Sequence, residues 1–276
     1  MKKILLLVVL LHTAIAMPSS AEDGALLVPV FQREVDRRLN LPREVQMLYA
    51  RLLEVALKNA QISMTKSQYI LLVDRNPHVQ AALIYWLDLS TTSKHWRFIG
   101  ASPASTGKPG QFDHFITPLG VFEHSLDNKD FRAEGTRNNF NIRGFGIQGM
   151  RVFDFGWVQG ERGWGCGGEG QMRLLLHATD PDFLEHHLGA AMSKGCIRIP
   201  ATLNNFIDRY GLLDADYEHA QAEGEQQWVL RADRIPTPWA GRYLVIVDSG
   251  VTKRPAWSPD PMAVVRKNKT GKAPAR

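Results

Sequence analysis

Residues 172–198 open with Met172-Arg173-Leu174-Leu175-Leu176-His177-Ala178 and close with Ser193-Lys194-Gly195-Cys196-Ile197-Arg198, separated by the residues up to Met192. The apolar run predicts a buried strand over 172–178 that ends at a histidine. The second block predicts a glycine-containing turn with a cysteine just before a helix. A cysteine attacks as its thiolate, and a nearby imidazole can take the thiol proton. Glycine beside the cysteine lets the backbone approach a substrate, with neighbouring amides aimed at a developing oxyanion. A histidine and a cysteine at arbitrary spacing would carry little weight, since both are common core residues.

Outward from this stretch the chain reads as mainly β with flanking short helices. Residues 69–74 and 82–89 are rich in β-branched, aromatic and aliphatic side chains. They flank Arg75-Asn76-Pro77-His78, which predicts a β-hairpin. Further strands are predicted over 97–102, 120–125 and 242–248. Gly, Asn, Arg and Asp crowd residues 127–171, which predicts long irregular loops over a sheet. Asp180-Pro181 predicts a short helix ending at Gly189. Pro200 predicts another, in which Leu203, Phe206, Ile207 and Tyr210 share a face before Gly211 stops it. Nearer the start, Asn40 and Pro42 open an amphipathic helix whose apolar face is Val45, Leu48, Tyr49, Leu52 and Ala56.

Met1-Lys2-Lys3 and the apolar run 4–11 have the form of a secretory signal peptide, with small residues before cleavage after Ala16 or Ala21. An uncleaved anchor is the alternative, but His12 breaks the run, which falls short of the roughly 20 residues a spanning helix needs. The expected location is therefore outside the cytoplasm, in the periplasm or cell envelope. Net charge is +5, yet Lys2 and Lys3 lie in the signal and residues 251–276 carry +6, leaving −3 for residues 22–250. Such a body gives no support for nucleic-acid binding. The tail beyond Gly250 alternates Pro with Lys and Arg and is expected to be disordered. The expected organisation is a signal over 1–21, an N-terminal helical segment over 22–65, a catalytic domain over 66–250 and a basic tail over 251–276.

The spacing and flanks of the His177 and Cys196 blocks resemble the L,D-transpeptidase (YkuD-type) catalytic domain family. That family's signature is a histidine, fourteen to seventeen residues, then Ser/Thr-His-Gly-Cys. This chain matches it at His177, the gap of fifteen residues, Ser193, Gly195 and Cys196. Ser105-Thr106-Gly107-Lys108 and Thr117-Pro118-Leu119-Gly120-Val121-Phe122 resemble the family's second landmark. Together these cover roughly residues 66–248. The resemblance implies an L,D-transpeptidase-like β-sandwich and acyl transfer on peptidoglycan stem peptides, with neither cofactor nor metal. Cys196 would attack the diaminopimelate carbonyl of a tetrapeptide stem, releasing D-alanine and leaving a thioester. His177 would take the thiol proton, and amides around Gly195 and Cys196 would hold the oxyanion. The acceptor would be an amine, which could include a lysine of a wall-attached lipoprotein. Water as acceptor would make the protein an L,D-carboxypeptidase.

Other positions carry alternatives. Arg198 could grip a substrate carboxylate or make a structural ion pair. Ser193 would orient the turn. Lys194 stands where the family has a second histidine. Its charge could favour the thiolate or an anionic stem, or its presence could leave a wall-binding protein without turnover. The only cysteines, Cys166 and Cys196, could form a disulfide in an oxidising compartment. Arg137, Arg143, Arg151, Trp157 and Trp164 could line a groove for anionic glycopeptide or simply pack the loops. His186 and His187 are adjacent on a short helix and point apart, which argues against a zinc site.

Overall fold

A computed structural model describes residues 24–90, 95–259 and 261. The segment read as a signal, residues 1–21, and the basic stretch past 261 lie outside the described residues. Ahead of the strands lie the helices α1 (Leu27–Glu34) and α2 (Arg43–Asn59). The strands are β1 (Gln68–Asp74), β2 (Ala81–Asp88), β3 (His95–Pro103), β4 (Phe115–Ile116), β5 (Gly120–Glu123), β6 (Phe131–Arg132), β7 (Arg151–Arg162), β8 (Glu169–Ala178), β9 (Ile197–Ile199) and β10 (Tyr243–Val247). Helices α3 (Ala201–Tyr210) and α4 (Ala215–Ala222) lie between β9 and β10. The protein is thus mainly β with short helices. Among the described residues no helix is long and apolar enough to cross a membrane.

Two mixed sheets form the body. One runs β3-β2-β1-β10-β5, the other β4-β7-β8-β9, with β6 also on β7. Strand residues alternate between faces, and this alternation places the core. Leu71 and Val73 of β1 and Leu244 and Ile246 of β10 meet Leu174 and Leu176 of β8 and Ile197 and Ile199 of β9 in one shared cluster. The other face of the first sheet offers Ile70, Leu72, Leu83 and Val245 to Tyr49, Leu53 and Leu57 of α2. Sequence periodicity located α2 correctly, although Leu48 of its expected apolar face stays exposed.

Three expectations need correction. Residues 127–171 are not merely irregular loops: β7 crosses them, and the expected helix from Asp180 is only a 3-10 turn, Glu185–His187. The disorder expected past Gly250 does not begin there. Trp257 packs edge-on against Tyr49 at 6.0 Å, and Ser258 Oγ donates to His78 O and Val79 O.

Candidate active site

Strands β8 and β9 run parallel, with Leu176 opposite Ile197 and His177 opposite Arg198. Because Leu174, Leu176, Ile197 and Ile199 fill the core, His177 and Arg198 face the opposite side of this sheet. Cys196 comes directly before β9 and not, as expected, just before a helix, which starts only at Ala201; its sulfur lies against the open edge of β8, 3.6 Å from Arg173 O. The parallel pairing needs a crossover, and the fifteen residues between the two blocks supply it.

His177 is buried and donates through Nδ1 to Ala178 O at 2.8 Å. A carbonyl only accepts, so the proton sits on Nδ1 and Nε2 keeps its lone pair. The ring of Phe145 stands edge-on against the imidazole, centroids 4.8 Å apart. Burial, with a smaller contribution from the Arg198 charge, lowers the His177 pKa to about 4. Burial likewise pushes the Cys196 thiol up and Asp154 adds to this, against the opposing pull of the Leu175 amide and Arg198. Both groups are therefore neutral at rest, and they do not hydrogen-bond each other in this conformation. Cys166 and Cys196 are both free thiols.

Chain segments far apart in sequence converge on the cysteine turn. Ser193 Oγ accepts from Gly195 N–H at 3.0 Å and donates to Cys196 O at 2.5 Å. Thr106 O accepts from Ser193 N–H, and Ser193 O accepts from Lys108 N–H, at 3.0 and 2.9 Å. Thr117 Oγ1, fully buried, accepts from Gly107 N–H at 2.8 Å and donates to Gly195 O at 2.7 Å. Gly107 has to be glycine because a Cβ there would fall 1.9 Å from Phe115 O. Gly195 sits at φ +130°, and a Cβ would meet Met172 Cε at 2.7 Å. The Gly195 amide is thus committed to Ser193, whereas the Cys196 amide makes no hydrogen bond with the described residues.

The basic residues divide sharply. Arg151 is fully buried against Asp130, Asp208 and Asp214, and Arg137 and Arg143 both bind Asp182. Arg151 thus packs the core, whereas Arg137 and Arg143 bridge to Asp182 nearer the surface. Lys194 points to Asp113 at 2.9 Å in an exposed pair. Arg198 has no carboxylate partner among the described residues; its Nη1 reaches only Met192 O at 3.5 Å. Burial lowers its pKa, with Cys196 pulling the other way. The rings of His186 and His187 do not point apart as expected, since their centroids lie 3.9 Å from each other; among the described residues no group of three His, Cys, Asp or Glu is arranged to hold a metal.

Several supporting residues escaped the sequence reading. Gln80, buried at φ +52°, accepts from Thr106 N–H at 2.7 Å and donates to Thr106 Oγ1 at 2.8 Å, fixing the turn that holds Ser193. Asp154 takes both Nε and Nη2 of Arg173, whose guanidinium lies 5.7 Å from the exposed Trp157 ring. The available signal for Gln80 was only its place just past the turn expected at residues 75–78. Phe145 gave no signal of its own, because its loop is placed only by tertiary contacts. No family model matches the chain, and no curated protein matches it.

Proposed function

We propose that the protein is an exported cysteine acyltransferase of the L,D-transpeptidase type, acting on peptidoglycan stem peptides, with its two-sheet body as an L,D-transpeptidase-like β-sandwich. The observation that carries this reading is the convergence at Cys196. Ser105-Thr106-Gly107-Lys108 and Thr117, remote in sequence, bind the turn that holds the thiol. Arg198, whose guanidinium has no carboxylate partner among the described residues, stands beside it and suits a carboxylate of the substrate.

In the first step the thiol leaves Arg173 O and gives its proton to Nε2 of His177. The S–C bond forms at the donor carbonyl. The amide C–N bond then breaks, the proton passes from the imidazole to the departing D-alanine amine, and a thioester remains on Cys196. In the second step an amine attacks the thioester, its C–N bond forms as C–S breaks, and the sulfur regains a proton. The neutral resting pair makes His177 a general base rather than the partner of a standing ion pair.

Incubation with a tetrapeptide-stem fragment followed by mass analysis tests this. Loss of D-alanine, a thioester on Cys196 and cross-linked or amine-exchanged product are expected. Loss of D-alanine alone would make water the acceptor and the protein a carboxypeptidase. Unchanged processing by Cys196→Ala would end both enzymatic readings.

A further inference from the structure

The peptide unit joining Gly195 to Cys196 is planar and trans, so its carbonyl and its N–H point in opposite directions. Thr117 Oγ1 grips that carbonyl at 2.7 Å, and its own oxygen is held in turn by the Gly107 amide at 2.8 Å. Fully buried, Thr117 therefore fixes the plane of the peptide from the inside. Its N–H, the Cys196 amide, is turned away from Thr117 and hydrogen-bonds nothing among the described residues. The neighbouring Gly195 amide is already used by Ser193 Oγ.

We propose that Thr117 is a positioning residue whose hydroxyl aims the Cys196 amide as the oxyanion donor of the acyl-transfer site. This rests on the acyl-transfer reading of Cys196 and assigns the orientation of its donor to a strand-entry residue well separated from it in sequence. The consequence is specific. Removing the Thr117 hydroxyl frees the Gly195 carbonyl to rotate, and the amide rotates with it. The sulfur, held by its own side-chain torsion and the β8 edge, is not displaced.

The test uses the mature protein and p-nitrophenyl acetate. The Cys196 sulfur attacks the ester carbonyl, the thiol proton passes to His177, the S–C bond forms and p-nitrophenolate leaves. Thr117→Val keeps the shape of the side chain and lacks the donor; Thr117→Ser keeps the donor. Losing an oxyanion donor typically costs about 10²–10³-fold in rate, and a misaimed one less, so Thr117→Val is expected to acylate about 10–100-fold more slowly with KM nearly unchanged. Thr117→Ser is expected to restore most of the rate. Alkylation by iodoacetamide passes through no oxyanion and is expected to be the same in all three proteins. Full-rate acylation by Thr117→Val, or an equal fall in alkylation, overturns the proposal. Should Thr117→Val fail to fold, a peptide aldehyde added to the 15N-labelled wild type decides the matter. The hemithioacetal oxygen is expected to shift the Cys196 amide proton downfield, and an unmoved resonance overturns the proposal. Ester acylation that depends on Thr117, in a protein that ignores stem peptides, would sink the peptidoglycan reading and leave this one standing.

Discussion

At Cys196 two effects oppose each other: shielding from water holds the thiol proton on, while nearby positive groups favour its loss. Burial outweighs the help of Arg198 and the Leu175 amide, and the thiol pKa lies above its ordinary value of 9.0. Alkylation of Cys196 is therefore expected to climb with pH through and beyond 9, measured by iodoacetamide kinetics with peptide mapping to separate Cys166. A plateau near pH 6 would instead reveal a thiolate–imidazolium pair. Lys194 occupies a position that the resemblance gives to histidine, but its ammonium is directed to Asp113 in solvent. Exposed pairs contribute about 0–1 kcal/mol, so Lys194→Ala should melt within a few degrees of wild type and leave the alkylation profile unaltered. The closeness of Ser193, Gly195 and Cys196 in one turn was legible because it is local: the Ser193 hydroxyl reaches Gly195 N–H and Cys196 O within three residues. Thr117 was visible as part of a motif without its role, since a hydroxyl's partners are set by tertiary approach.

Among the elements, strands with uniform apolar content were easiest to read. β1, β2, β8 and β10 fall close to their expected spans, and α3 starts after Pro200 and stops at Gly211 as its punctuation requires. Gly211 adopts φ +59°, a left-handed cap that a Cβ disfavours by about 1 kcal/mol. Gly211→Ala is accordingly expected to lower unfolding free energy by about that much in urea titration; an unchanged midpoint would mean the cap relaxes without strain. β7 was missed for a physical reason. Its sequence mixes Arg151, Asp154 and Gly156 with Val152, Phe153 and Phe155, which reads as a loop unless the charges are known to be paired inside. Asp154 meets Arg173 across the ladder, and Gly156 sits at φ +81° where the β7–β8 register shifts. Asp180 does cap a turn, accepting from the Asp182 and Phe183 amides, but only the short 3-10 segment Glu185–His187 follows it.

For the whole molecule, the deepest charges tie the second sheet to the helices. Arg151 on β7 bonds Asp130 at 2.6 Å and Asp214 at 2.8 Å, and Asp130 also takes His124 Nε2 at 2.8 Å. His124 Nδ1 faces Leu213 O at 2.8 Å. Both ring nitrogens confront acceptors, so the buried ring is an imidazolium. Burial and the Arg151 charge resist this, but Asp130, helped by Asp214, prevails and the pKa is raised above 6.5. Tyr217 stacks on the same ring at 5.3 Å. A raised histidine contributes stability in full below its unfolded value and loses it as pH climbs through the folded one. Urea unfolding of wild type should thus weaken between neutral and alkaline pH, with a flatter profile in His124→Gln; identical slopes would contradict the charged ring.

The packing of residues 251–259 has an outcome for anyone trimming the chain. Pro259 sits so close to Gly189 that a Cβ there would lie 2.6 Å from it, while Trp257 covers Tyr49 on α2. Gly189 belongs to the crossover that delivers Cys196. A version cut after Gly250 would thus do more than shed a basic end: it would strip the cover from Tyr49 on α2 and from Gly189 in the β8–β9 crossover.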